Sequence, residues 1–452
     1  MDILKFGIEH ALYPYMEKRK GNRIRFFTKQ LQESERLAPE ELRKMQEKKL
    51  KELLLHCAEN VPAYAGLDRA AIEADPFAVL QSIPALDKKT FREDPDRFIA
   101  LNVPAAGLIP NKSGGSTGSP VHFYMDRQQV EQYEAARWRG LSWYGITNGS
   151  RSVMVWGSSI ELSPEARKAH DREDKWLKNR EVMSAYELNE ADGQKYIDYL
   201  NSYKPEYLYG YSTALEAFAK AIEKAGKDRL KIRLKAIVTT SETLFPWQAE
   251  YLHKVFECPV GNEYGARDAG ILAYSCPCGG MHITAENCIL EVLDPKTLQP
   301  VPEGENGIFA ITDLTNRVQP RLRYMVGDTG TLLGGSCSCG RTLPLMKAPE
   351  GGEDALLVAE GGRLVHGNFA NQIIRDYPMV NGFQLIQHTP QTATLRLAGD
   401  PKAIPADAIV SLIEKNLPGV SIATEYVDKI DPAPSGKIRY SIREFPLDGE
   451  EK

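Results

Sequence analysis

Apolar positions recur at near-helical spacing between residues 28 and 60, where Leu42, Met45, Leu53 and Leu54 interrupt a segment otherwise rich in Glu and Lys. A stripe of that period predicts an amphipathic helix whose charges face solvent. The pattern breaks at Val61-Pro62 and Ile83-Pro84, because proline lacks the N–H a helix interior requires. Beyond a glycine-rich loop at 113–118, strand-like and helix-like pieces alternate. Short apolar runs at 153–156, 236–240 and 260–264 read as buried strands, with helical runs near 129–143 and 213–225 between them. Such alternation predicts an α/β domain whose active edge lies at strand ends. A more β-rich stretch follows at 289–293, 307–311 and 322–324, divided by turn signals at Asp294-Pro295 and from Glu303 to Gly307.

Between 346 and 354 the composition turns to Gly, Pro and charge, which marks a linker. A new pattern begins beyond it. Residues 355–358 and 364–365 flank a Glu360-Gly361-Gly362 turn and read as a hairpin. Helical runs near 368–376 and 405–416 and strands near 383–387, 393–397 and 421–427 complete a compact α+β unit. The expected fold class is therefore α/β, with a large multi-sheet N-terminal domain over 1–349 and a small α+β C-terminal domain over 350–452. No internal repeat or low-complexity tract is evident.

Composition narrows the function. A chain of 452 residues exceeds one ordinary core, in keeping with two domains. The formal net charge is −5 and no long basic stripe is present, which argues against nucleic acid and for small-molecule partners. The first residues carry no apolar signal core, and no stretch has the length to span a bilayer, so a cytoplasmic location is expected. Seven cysteines, an odd number, argue against a disulfide framework.

The loop Ser113-Gly114-Gly115-Ser116-Thr117-Gly118 offers backbone amides and three hydroxyls within a short span, as a phosphate chain requires. Phe123 and Tyr124 follow closely and set it beside a strand. A P-loop of the kinase or GTPase type needs Gly-Lys-Ser/Thr at its end, whereas Gly118 precedes Ser119 and Pro120. The order Gly114, Gly115, Gly118 does not form a dinucleotide fingerprint either.

The loop resembles the phosphate loop of the adenylate-forming superfamily, which includes acyl-CoA synthetases, luciferase and peptide-synthetase adenylation domains. Four further segments fall in that family's order. Thr240-Ser241-Glu242-Thr243 resembles the segment beside the adenine, and Asn262-Glu263-Tyr264-Gly265-Ala266-Arg267-Asp268 resembles the Tyr-Gly-x-x-Glu motif. Tyr324-Met325-Val326-Gly327-Asp328 resembles Tyr-x-Thr-Gly-Asp, and residues 431–439, with Lys437, resemble the C-terminal lysine motif. Residues 55–64, ending Val61-Pro62-Ala63-Tyr64, resemble the phenylacetate-CoA ligase branch.

The resemblance implies that a substrate carboxylate attacks the α-phosphorus of ATP, expelling pyrophosphate, and that CoA then takes the acyl group. The carboxylate is already an anion, so alignment and charge compensation matter more than a general base. Lys437, on a mobile C-terminal domain, would supply that compensation. Asp328 would accept hydrogen bonds from both ribose hydroxyls, Tyr264 would offer a flat face to adenine, and Ser241, Glu242, Thr243, Asn262, Glu263 and Gly265 would fold around the base. Asp268 stands where the family has a Mg²⁺-binding Glu. Gly352 stands where its hinge has Arg, with the hinge expected at Asp354. A carrier protein or an amine as acceptor, or a degenerate non-catalytic nucleotide binder, are the alternative readings. Trp156, Tyr209 and Tyr211 near the expected pocket make an aryl or arylacetic acid reasonable. A homodimer is compatible with all of this.

Two Cys-x-Cys-Gly turns, Cys276–Gly279 and Cys337–Gly340, with His282 nearby, suit a tetrahedral structural Zn²⁺. The spacing is tighter than the usual Cys-x-x-Cys. Five ligands compete for about four places, leaving Cys278 or His282 as the one outside. Cys57, Cys258 and Cys288 have apolar neighbours and read as core thiols.

If Lys437 drives adenylation, Lys437→Ala lowers the rate of pyrophosphate release on the order of a hundredfold, the loss of about 3 kcal/mol of preorganised charge. Circular dichroism of the same variant is expected to match the parent.

Overall fold

The computed structural model describes residues 3–113, 121–156, 178–185, 188–349, 351–352, 356–362, 364–374, 376–377, 379–431 and 439–446. Gly114 to Gly118, Asp354 and Lys437 lie outside the described residues.

The leading helical pattern folds as two helices, Ile24–Ser34 and Pro39–Asn60, because Pro39 starts a new helix at a position where its missing N–H costs nothing. The Glu41 carboxylate accepts the Ala38 N–H at 3.1 Å and closes that end. The strands that flank the glycine-rich segment in sequence, β1 (Ile109–Lys112) and β2 (His122–Met125), pair antiparallel. Asp126 then caps the helix Arg127–Ser142 by accepting the Gln129 N–H at 2.7 Å.

The large sheet takes its strands in chain order as β3 (Ser152–Trp156), β4 (Arg180–Ser184), β5 (Tyr207–Gly210), β6 (Ala236–Thr240) and β7 (Val260–Ala266). It continues with β8 (Gly270–Ser275), β9 (Met281–Ile283), β10 (Cys288–Leu293), β11 (Asn306–Asp313), β12 (Tyr324–Leu333), β13 (Leu345–Met346) and β14 (Gly351–Gly352). In space they run β10-β11-β12-β13-β9-β8-β7-β6-β5-β3-β4, with β14 paired to β12. From β4 to β7 every pairing is parallel; from β7 to β10 every pairing is antiparallel. Helices cover the parallel half, and β6 is buried along its whole length, as expected of a central parallel strand. The chain leaves β3 for β4 on one side and returns to place β5 on the other. That reversal is the switch point of the sheet's topology.

A four-stranded sheet, β19-β18-β17-β20, is built from β17 (Gly382–Thr389), β18 (Thr392–Ala398), β19 (Ser421–Val427) and β20 (Ser441–Arg443). The helix Ala406–Asn416 and the pair β15 (Leu356–Val358) and β16 (Leu364–His366) accompany it around a core of their own. The α/β fold class, a large N-terminal and a small C-terminal unit, is thus observed. One expected strand, 322–324, starts only at Tyr324. Arg323 has φ +49° and its buried guanidinium donates to the Ile83 carbonyl at 2.7 Å, which turns the backbone before the strand begins.

Arg139 and Glu286 form a deeply buried pair, 1% and 2% exposed, at 3.0 Å. Ser34 Oγ also donates to Glu286, so three elements meet at one carboxylate. Removing one partner strands the other charge. Arg139→Met is therefore expected to lower unfolding free energy by ~3–5 kcal/mol in denaturant titration. The double variant Arg139→Met/Glu286→Gln is expected to recover part of that loss.

Candidate active site and metal centre

Strand β7 carries four of the sequence-predicted residues, and its alternation sends them to opposite faces. Tyr264 donates to Asp328 Oδ2 at 3.0 Å, joining two motifs 64 residues apart. Burial, with Asp328 beside it, raises the Tyr264 phenol well above its ordinary range, so the hydroxyl stays protonated and donating. Asn262, on the same side as Tyr264, lines a cleft of about 660 Å³ with Leu244, Phe245, Met346 and Lys347. Asp328 lies opposite Gly352 in the β12–β14 ladder.

Glu263 faces the other way. Its carboxylate accepts from Arg137 Nε at 3.1 and 3.3 Å and from the Tyr209 hydroxyl at 2.7 Å, with Thr240 Oγ1 at 3.4 Å. It is not grouped with Tyr264 and Asp328. Burial works against the charge on Arg137, but Glu134 and then Glu263 outweigh it and hold the guanidinium protonated.

Glu242 is likewise engaged away from the cleft. Its Oε2 accepts from Thr213 N at 3.0 Å and Thr213 Oγ1 at 2.8 Å, at the start of the helix Ser212–Gly226. Ser212 Oγ donates to the Thr243 carbonyl at 3.0 Å, and Ser241 takes φ +67° to make the turn. The segment 241–243 is therefore pinned in shape by a helix terminus, a role hidden from the sequence. Ser113 closes the base of the glycine-rich loop: its N–H donates to the Val121 carbonyl, and its Oγ accepts the Val121 N–H, both at 2.9 Å. Tyr440, three residues after Lys437, packs edge-on against Phe245 with ring centroids 6.1 Å apart.

Asp268 is buried. Its Oδ2 accepts from the Tyr324 hydroxyl at 2.9 Å and its carbonyl from Arg321 Nη2 at 2.6 Å. Oδ1 takes no hydrogen bond among the described residues, leaving it available to a cation.

Cys276, His282, Cys337 and Cys339 converge so that their donor atoms all lie within 4.8 Å of one another. Cys276 and Cys337 Sγ are 3.6 Å apart, and Cys339 Sγ is 3.3 Å from His282 Nε2. Zinc–sulfur bonds of about 2.3 Å in a tetrahedron imply ligand separations of about 3.8 Å, which these spacings approach. The two turns are copies of each other: the Gly279 and Gly340 N–H groups donate back to the Cys276 and Cys337 carbonyls, with φ +88° and +75°. His282 Nδ1 faces the Leu343 carbonyl at 3.4 Å, which directs Nε2 to the sulfurs, and burial pulls its pKa to about 4, leaving a neutral imidazole. Cys278 is exposed and outside the group. Cys57, Cys258 and Cys288 are buried, as expected of core thiols.

No family model matches the chain. It is 27% identical over 348 residues to the phenylacetate-coenzyme A ligase of Thermus thermophilus, covering 73% of this chain and 74% of that protein. The chain is similar to phenylacetate-CoA ligases over about three quarters of its length. The Escherichia coli phenylacetate-coenzyme A ligase is 23% identical over 360 residues, covering 76% and 79%. A crystal structure of 2-hydroxyisobutyryl-CoA ligase in the postadenylation state superposes with a TM-score of 0.70 over 91% of both chains at 16% identity, so the fold is shared.

Gly280 leaves no room for a side chain, since a Cβ there would lie 2.7 Å from Cys337 Sγ. Gly280→Ala is expected to cost about 1–3 kcal/mol through overpacking, read as a lower thermal midpoint.

Proposed function

We propose that the protein activates a carboxylic acid with ATP to an acyl-adenylate and then passes the acyl group to the thiol of CoA. The observation that carries this reading is the Tyr264–Asp328 bond, which brings the expected adenine and ribose residues together beside the cleft lined by Asn262. In the first step a carboxylate oxygen bonds to the α-phosphorus as the bond to the β-phosphate oxygen breaks and pyrophosphate leaves. In the second, sulfur bonds to the acyl carbon as the carbon–oxygen bond to AMP breaks.

The nucleotide is held by roles divided along the chain. Asp328 takes the ribose hydroxyls, since one ionised carboxylate accepts both. Tyr264 covers the adenine while its own hydroxyl orients Asp328. Asn262 and the pinned segment Ser241–Thr243 border the base. The loop from Ser113 to Gly118 receives the phosphates, and Lys437, carried with residues 350–452 as a mobile unit, neutralises charge growing on the α-phosphoryl oxygens. Asp268 Oδ1 suits Mg²⁺, which would offset phosphate charge when bound.

The Cys276, His282, Cys337 and Cys339 group suits a structural Zn²⁺: its chemistry is thiolate and imidazole, and all four places are filled by protein. It would tie the β8–β9 turn to the segment between β12 and β13 without taking part in catalysis.

Incubation with ATP, Mg²⁺ and a panel of carboxylic acids, with and without CoA, tests the reaction. Acid-dependent pyrophosphate and CoA-dependent AMP are expected, and absence of pyrophosphate across aryl, arylacetic and short aliphatic acids would overturn the reading. Elemental analysis is expected to find about one zinc per chain. Cys278→Ser should keep that metal, and Cys339→Ser should lose it.

A further inference from the structure

The leading helices Ile24–Ser34 and Pro39–Asn60 meet the helix Arg127–Ser142 around a cleft of about 340 Å³, bounded on one side by Glu286 and Asn287. That volume falls within the ~300–1,000 Å³ of small-molecule sites. It shares no lining residue with the 660 Å³ cleft beside Asn262.

Part of its wall is apolar, where Phe27 and Leu31 are buried and Met45 is half-buried. The rest carries polar groups that the fold leaves unused. Gln132, 8% exposed, makes no side-chain hydrogen bond among the described residues. Asn287 is 6% exposed, and its Nδ2 is buried without a partner among the described residues. An unpaired buried amide is destabilising, and two at one cleft call for an occupant that supplies the missing partners.

Charge narrows what that occupant is. Lys48 and Lys49 line the cleft together with Glu52 and Glu286. Both carboxylates have counter-charges, Arg317 at 3.4 Å from Glu52 and Arg139 at 3.0 Å from Glu286. Asp313 is a further acid whose field reaches Lys49. Two lysines against that one acid leave an excess of one positive charge. The Lys49 ammonium donates to the Glu286 carbonyl at 2.6 Å, and two of its three donors remain for a ligand. Burial lowers its pKa from the ordinary lysine value, against the raising fields of Glu286, Asp313 and Glu52. An anion in the cleft would relieve that penalty. A single excess charge suits a monoanion rather than a phosphate chain, and the apolar wall suits a carbon body.

We propose that this cleft is a second small-molecule site that binds a monocarboxylate with a short apolar body, the carboxylate on Lys49 and Gln132 and the body against Phe27, Leu31 and Met45. No bond is made or broken there, so the site does not depend on the acid-activating reaction proposed above. Two sources share the chemistry: the acid that the protein activates, bound as a second equivalent, and an unrelated carboxylate.

Isothermal titration of the full chain with acetate, 3-methylbutanoate and benzoate, each beside its neutral amide, tests the site without turnover. At least one carboxylate is expected to bind saturably, and its amide at least about tenfold more weakly. Gln132→Leu and Lys49→Met should each weaken that carboxylate at least about tenfold, with pyrophosphate release kept to within about twofold of the parent protein. A binding carboxylate that also drives pyrophosphate release identifies the protein's own acid as the occupant, and one that does not identifies a separate effector; both support the site. No saturable binding up to about 10 mM, or binding unchanged in either folded variant, would overturn the proposal. Absence of pyrophosphate with every acid would remove the proposed reaction and leave this site standing. Should Lys49→Met fail to fold, Gln132→Leu decides, because an apolar side chain of similar volume in place of an unpaired buried amide is not expected to destabilise the fold.

Discussion

One strand holds the arrangement together. β7 is the last strand of the parallel half and the first of the antiparallel half, so it is hydrogen-bonded to both. Its period of two turns Tyr264 toward Asp328 and Glu263 toward Arg137, one residue apart along the chain and on opposite faces of the sheet. The Tyr264–Asp328 bond and the Arg137–Glu263 pair therefore share a single backbone as their common reference. A one-residue slip of β7 would exchange the two faces, and the buried Tyr209 and Phe309 neighbours on either side penalise that slip.

Much of this frame was legible in the chain. The run 236–240 reads as a continuous apolar strand because a central parallel strand is covered on both faces, and it is buried throughout. The helices Arg127–Ser142 and Ser212–Gly226 follow the expected runs within two residues. The edge strand Arg180–Ser184 gave no such signal, since half-buried Arg, Glu and Ser break both periods. The split of the leading helix at Pro39 was masked by the strong Glu, Lys and Leu bias around it.

Site residues were legible where chemistry and spacing coincide within a motif, as in the two Cys-x-Cys-Gly turns. They were not legible where the partner is distant. Nothing near residue 263 signals that Glu263 meets an arginine 126 residues earlier, or that Glu242 is taken up by the start of a helix 29 residues before it. The same limit applied to the cysteines: the sequence left Cys278 or His282 as the one outside, and the structure turns Cys278 outward while His282 joins the group. Gln129 and Tyr133, one helical turn apart, both reach Asp313 and brace the helix that presents Arg137, a further contact no motif announces.

The paired knuckle turns have a topological consequence. Joining Cys276 and His282 to Cys337 and Cys339 closes a loop of chain that contains β10, β11 and β12, and with them Asp328, whereas Tyr264 lies before the loop begins. Asp328 thus lies on a segment whose two ends meet at the Cys/His group, and the phenol that bonds it comes from a strand of the same sheet before that segment begins. A tether of that length restricts the unfolded chain more than the folded one. That segment, which carries Asp328, has its two ends side by side at the cysteine and histidine side chains and meets the rest of the fold through Tyr264–Asp328, Tyr324–Asp268 and the Gln129 and Tyr133 contacts to Asp313.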